Sequence, residues 1–182
     1  ATAYARDVVD GRVVAGRLVR LACQRHLDDM AHARERGLRW DEEEAAAVVR
    51  FFAGLAHSKG RWAGRPVTLE PWQAFALGCP LAWKREDGTR RFRTVYHEMA
   101  RKNGKSTMAS GVGLKLAFFD GEPGAEVYTA ATKRDQARIV HGEAVRMVKT
   151  SPHLRRRIKI FKDNLSSEAT NSKYLPLGAD AD

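Results

Sequence analysis

Acidic side chains are in short supply in this chain of 182 residues: 22 Asp and Glu stand against 32 Lys and Arg, a formal charge of +10. That deficit disfavours a basic partner and favours a polyanionic one, nucleic acid first, although a merely solvated basic surface has the same composition. Cysteine is scarce too. Cys23 and Cys79 lie far apart in no CxxC or Cys/His spacing, which argues against a disulfide framework or a zinc site. Two reduced core thiols of a cytosolic protein are the expectation. No apolar run is long enough for a membrane span, the N-terminal segment does not read as a signal peptide, and there is no internal repeat. The remainder is ordinary for a folded protein: with 43% hydrophobic and 30% charged residues, the chain can bury one sizeable core with a small helical annex. It begins with Ala rather than Met, so a trimmed start is expected.

The first third reads as helix. Over 13–30, Val14, Leu18, Leu21, Ala22 and Met30 recur at helical intervals, and Gly37 closes the segment. Asp41 and Glu44 form a capping-box arrangement ahead of an apolar stripe of Ala45, Val48, Val49, Phe52 and Leu55. A loop rich in Gly, Lys and Arg follows over 58–65, and Pro71 suits the first turn of a short helix ending near Gly78. The turn Glu86-Asp87-Gly88 changes the pattern. Residues 91–99, β-branched and aromatic, predict a strand; 100–106 a polar loop; 106–119 a helix; 125–131 a second strand. Thr132 is placed to cap a helix running to about Thr150, with Ala137, Val140, Ala144, Met147 and Val148 inward, and Ser151-Pro152 stops it. Short strands and turns fill 157–177. This order is that of a parallel α/β sheet flanked by helices, behind an N-terminal helical lead-in. The expected division is a helical region over 1–66 and an α/β core over 67–182.

Asn103-Gly104-Lys105-Ser106-Thr107 carries the strongest chemical signal. A phosphate loop needs a glycine so that backbone N–H groups can approach phosphate oxygens, a lysine for the β- and γ-phosphates, and a hydroxyl for Mg²⁺. The helix that follows adds its positive N-terminal end. Gly104, Lys105 and Ser106 supply these in order, between a predicted strand and a predicted helix. The usual pattern has a glycine five residues before Gly104, where this chain has Met99. A Gly-Lys-Ser triplet also occurs in plain surface turns.

The run Ala100-Arg101-Lys102-Asn103-Gly104-Lys105-Ser106 resembles the deviant Walker A motif of large terminase subunits from tailed double-stranded-DNA phages, which often lacks the first glycine and places an arginine ahead of the loop. Leu69-Glu70-Pro71-Trp72-Gln73 is similar to that family's adenine-binding segment, and the run from Thr129 to Ala137 is similar as well. The resemblance implies a RecA-like phosphate-loop NTPase using ATP and Mg²⁺. It assigns Lys105 to the β/γ-phosphates, Ser106 to Mg²⁺ and Arg101 to a place near the γ-phosphate, with Lys102, Asn103, Gly104 and Thr107 completing the loop. Gln73 would read adenine, a carboxamide accepting from the exocyclic amine and donating to a ring nitrogen; a plain surface glutamine is the alternative. It further implies double-stranded DNA, a homo-oligomeric ring on the portal, the small terminase subunit and the cytoplasm of an infected bacterium.

An ATPase of this class also needs an acidic strand end, one acid for Mg²⁺ and one to activate water. Asp120 and Glu122 follow the helix that leaves the loop, Asp28 and Asp29 lie upstream, and 158–163 has interrupting lysines and no following Glu. None qualifies, and in the resembled family that strand comes a little beyond Asp182. The chain is therefore expected to be a truncated ATPase domain that binds nucleotide weakly and hydrolyses it negligibly. The basic residues Lys133, Arg134 and Arg138, with Arg146, Lys149 and 155–157 behind them, are candidates for sequence-independent DNA contact or for a solvated face. A helicase or other nucleic-acid-dependent ATPase, and a basic DNA-binding module with an incidental triplet, are the other readings.

Overall fold

The computed structural model describes residues 1–178, apart from the side chain of Arg134. The chain forms two compact units, one of Ala1–Phe51 with Thr68–Glu98 and one of Phe52–Val67 with the chain from Met99 onward.

In the first unit, α1 (Thr2–Val9) and α2 (Arg17–Ala31) are followed by β1 (Leu38–Trp40), α3 (Glu42–Ala53), α4 (Pro71–Ala82) and β2 (Trp83–Arg85). The Asp41 carboxylate accepts the Glu44 N–H at 3.0 Å, capping α3 as expected. Antiparallel pairing of β1 with β2 sets Trp40 opposite Trp83. The core holds Ala5, Val8, Cys23, Phe75, Cys79 and Trp83, so both cysteines are buried free thiols. The apolar positions read over 13–30 do not mark the buried side: Val14, Leu18 and Leu21 are exposed, and in α2 Cys23, His26 and Asp29 are buried instead. Partner geometry explains this. His26 Nδ1 accepts the Trp83 indole N–H at 3.0 Å, and Asp29 takes ion pairs from Arg36 (2.6 Å) and Arg91. Each buried polar group is thus satisfied, which a count of apolar residues cannot see.

Helix α4 runs past the predicted end at Gly78, with Pro80 inside it. Proline has no N–H for the carbonyl four residues earlier, that of Ala76. The His97 ring faces that carbonyl, which favours its protonated form, while burial, the larger effect, lowers its pKa. Residues 91–99 form no strand: Val95 and Tyr96 are exposed and no neighbouring strand pairs with them among the described residues.

The second unit holds the tail of α3, α5 (Lys105–Phe118), β3 (Glu126–Ala131), α6 (Arg134–Thr150), α7 (Pro152–Arg155), β4 (Lys159–Ile160), β5 (Leu165–Ser167) and β6 (Ser172–Gly178). Its sheet has the order β3-β6-β5-β4. Only β3 and β6 are parallel, in a register from Glu126 opposite Lys173 to Ala131 opposite Gly178; the other two pairs are antiparallel. The class is α/β with a sheet that contains a parallel pair rather than being wholly parallel. Thr132 does not cap α6; Lys133 holds the cap position without a side-chain hydrogen bond.

Helices α5 and α6 lie side by side on one face of this sheet. The Ser110 hydroxyl donates to the Val140 carbonyl at 2.7 Å, Thr129 Oγ1 to that of Ala137 at 3.3 Å, and His141 Nε2 lies 3.1 Å from the Tyr174 carbonyl. Helix α5 comes close to the sheet at Gly113, where an added Cβ would stand 2.6 Å from the Tyr174 ring. Burial of Ser172, Tyr174 and Pro176, alternating with the more accessible Lys173, Leu175 and Leu177, marks the covered face of β6.

Candidate functional site

The connection into α5 is a tight turn, not a strand end. Lys102 has φ 68° and Gly104 φ 79°, both left-handed, with Gly104 as the N-cap of α5. A left-handed residue directly before a helix turns successive N–H groups toward one point, and glycine adopts it without strain. The N–H groups of Lys105, Ser106 and Thr107, in the first turn of α5, have no carbonyl partner within the helix. They form the positive end of the helix dipole. Lys105 folds back across the turn, its ammonium donating to the Met99 carbonyl at 2.8 Å and the Ala100 carbonyl at 3.3 Å. Its charge is thereby held over the loop.

Chain direction locates this turn in the unit. Short connections join α5 to β3 and β3 to α6, so both helices run antiparallel to β3 and begin at its carboxyl end. The contacts agree: Ser110 meets Val140, each about two turns into its helix. The turn therefore sits beyond the carboxyl ends of β3 and β6, where open α/β sheets bind their ligands. Arg101, Lys102, Asn103 and Lys105 are exposed, and Ser106 and Thr107 half-buried. Arg101 and Lys102 make no ion pair among the described residues.

The remaining candidates are scattered. Gln73 lies in the first unit at the third position of α4, where its Oε1 accepts the Glu70 N–H at 2.9 Å as part of a capping box. Glu70-Pro71-Trp72-Gln73 is therefore accounted for locally as a helix start. Lys133 is exposed at the start of α6. Arg138 is not free: it pairs with Asp163 at 3.0 Å and reaches Asp135 at 3.9 Å. The side chain of Arg134 lies outside the described residues, as do Asp180 and Asp182, on the stretch expected to approach an acidic strand. Asp120 pairs with Lys115 at 3.7 Å at the far end of α5, away from the turn. Sequence reasoning missed the left-handed Lys102 and the tie from His97 to Ala76; for the latter, a proline inside an apolar helix was the available signal.

Residues 71–182 match the family described as the terminase large subunit, ATPase domain. The chain belongs to that family. The crystal structure of the HK97 bacteriophage large terminase has a similar fold, with a TM-score of 0.60 and 23% identity over 76% of this chain. The match covers 28% of the HK97 chain, so the present chain spans well under half of that relative. No curated protein matches in sequence. Within the terminase ATPase domain, the turn at 100–107 is the one place where a left-handed glycine, a helix start and a folded-back lysine coincide among the described residues.

Proposed function

We propose that this terminase ATPase domain binds ATP with Mg²⁺ at 100–107 and serves a motor that hydrolyses ATP to drive double-stranded DNA into a procapsid. One observation carries the reading: the left-handed Gly104 opening α5, with the Lys105 ammonium resting on the carbonyls of Met99 and Ala100. Those carbonyl bonds are ones an incoming phosphate can replace, since an ammonium gains more from a phosphate anion than from neutral carbonyls. The donor set fits the group: backbone N–H groups at the start of α5 for phosphate oxygens, Lys105 for the β/γ bridge and the Ser106 hydroxyl for the metal. Thr107 and the Asn103 and Lys102 backbone complete the cradle. Arg101, exposed and without an ion pair among the described residues, is placed to offset charge on the γ-phosphate. Bound Mg²⁺ would supply charge neutralisation across the β- and γ-oxygens. Gln73 is proposed as the adenine reader; a carbonyl oxygen has two lone pairs, so the bond to Glu70 leaves room for a second donor.

The whole protein is proposed to act as a ring on the portal with the small terminase subunit, in the cytoplasm of an infected bacterium. Titration with a fluorescent ATP analogue and Mg²⁺ tests the site. Lys105→Ala should weaken binding at least about tenfold, as expected for loss of a charge-assisted bond worth roughly 1.5–3 kcal/mol. Unchanged affinity in that variant would refute the assignment.

A further inference from the structure

The loop before α4 has a construction that nucleotide binding does not explain. Between His57 and Thr68 the chain has no acidic residue, and Lys59, Arg61 and Arg65 are exposed. Neither arginine makes an ion pair among the described residues. Trp62, 46% exposed, carries both guanidinium groups over its ring, Arg61 at 4.9 Å and Arg65 at 5.1 Å from the centroid. Both cations lie close to one ring, so an anion nearby would be attracted by both charges. Contact with the ring limits the freedom of both guanidinium groups while leaving them exposed.

This loop is built, not loose. The His57 N–H bonds the Arg65 carbonyl at 2.9 Å, the Gly64 N–H the His57 carbonyl at 2.8 Å, and the Val67 N–H the Leu55 carbonyl at 2.9 Å. Its first turn is pinned to α6: the Ser58 hydroxyl donates to Glu143 at 2.6 Å, and Arg146 bonds both Ser58 (3.2 Å) and Glu143 (2.6 Å). Burial by itself would raise the pKa of Glu143. The hydrogen bonds from Ser58 and Arg146, with the charges of Arg146 and Lys59, outweigh that and leave it lowered, so Glu143 is ionised and already matched.

Position separates this surface from the nucleotide. Glu143 and Arg146 lie roughly 14 and 18 Å along α6 from its start, at about 1.5 Å per residue. The 100–107 turn sits at the opposite end of the same layer, where α5 and α6 begin.

We propose that Lys59, Arg61, Trp62 and Arg65 form a second anion site, a contact for the sugar–phosphate backbone of nucleic acid. The two guanidiniums lie at most about 10 Å apart, within the reach of neighbouring phosphates on one strand of a duplex. With the ring already under two cations, the surface offers donors to phosphate oxygens rather than a bare face to a base. Contact is then independent of sequence. The choice of nucleic acid among polyanions rests on the motor reading above; the site itself does not.

Fluorescence anisotropy of a labelled duplex, titrated with this chain between about 50 and about 200 mM salt, tests the proposal. R61A/R65A should weaken binding about tenfold or more at the lower salt. It should also reduce the slope of log affinity against log salt by about 2, the value for two lost phosphate contacts. R61K/R65K should keep most of both. Should R61A/R65A melt early, R61Q/R65Q, which retains the stems, has the same expected outcome. Unchanged affinity and slope in the glutamine variant overturns the proposal, and so does polyglutamate competing as well as unlabelled duplex. Nucleotide titrations keep the two readings apart. R61A/R65A should bind the ATP analogue normally and K105A should bind duplex normally, so failure at one site leaves the other standing.

Discussion

His26 shows how a single buried ring can set the pH response of this protein. The Trp83 indole can only donate, so His26 Nδ1 must be the bare acceptor and Nε2 carries the proton toward Thr2 Oγ1 at 3.0 Å. Burial, aided by the nearby N-terminal ammonium, lowers its pKa to about 4. The unfolded ring titrates near 6.5, so between about 6.5 and about 4 the unfolded chain binds a proton that the folded chain refuses. Stability is therefore full above that window and is lost as the pH falls through it, by an amount on the order of 3 kcal/mol. His97 and His141, also lowered by burial, act in the same direction. Urea midpoints should drop across the window, and an NMR titration should show the His26 ring neutral down to about pH 4. A ring titrating near 6.5 would contradict the burial. At this scale the sequence was informative where chemistry is contiguous, as in Gly104-Lys105-Ser106, and silent where partners are distant. Nothing near Asp29 in the sequence points to Arg91, 62 residues on.

Among the elements, α5 shows why a helix enclosed on most sides needs small residues. Met108, Ser110, Leu114, Lys115, Ala117 and Phe118 are buried with its glycines, so the helix is enclosed on most sides. Gly113 faces the fully buried Tyr174, whose ring occupies the space a methyl group would need. Gly113→Ala should destabilise by about 1–3 kcal/mol, the usual range for overpacking, despite the better helix propensity of alanine. A thermal midpoint lower by several degrees would register it, and an unchanged midpoint would show that Tyr174 yields freely. Helices α3, α4, α5 and α6 and strand β3 were legible because their signals are local: caps, a proline at the first position and apolar spacing. The predicted strand over 91–99 failed because β-branched residues become a strand only beside another strand. In α2 the apolar spacing picked out exposed positions, since specific partners for His26 and Asp29 decided which side faces inward.

For the chain as a whole, net charge and missing acids set the expectations. A charge of +10 predicts salt-sensitive attraction to a polyanion but does not say which cations act. The structure distinguishes Arg138, bound to Asp163, from Arg61 and Arg65, which stand over Trp62. Hydrolysis is a separate matter from binding, because it needs an acid for Mg²⁺ and another for water at a strand end. Among the described residues, β3 ends at Ala131 and leads into Thr132 and Lys133 rather than an acid. Phosphate release by this chain should stay at background even where the nucleotide binds; robust turnover abolished by Lys105→Ala would show that acids elsewhere do the work.

The sequence by itself determined the α/β class, the Gly-Lys-Ser run at the start of a helix and the basic charge balance, because each depends on neighbours in the chain or on totals. Tertiary structure alone decided that β3 pairs with β6 across the intervening α6, that Lys105 folds over the carbonyls of Met99 and Ala100, and that two arginines share Trp62. Those arrangements arise from burial and hydrogen-bond satisfaction between groups brought together only when the chain folds.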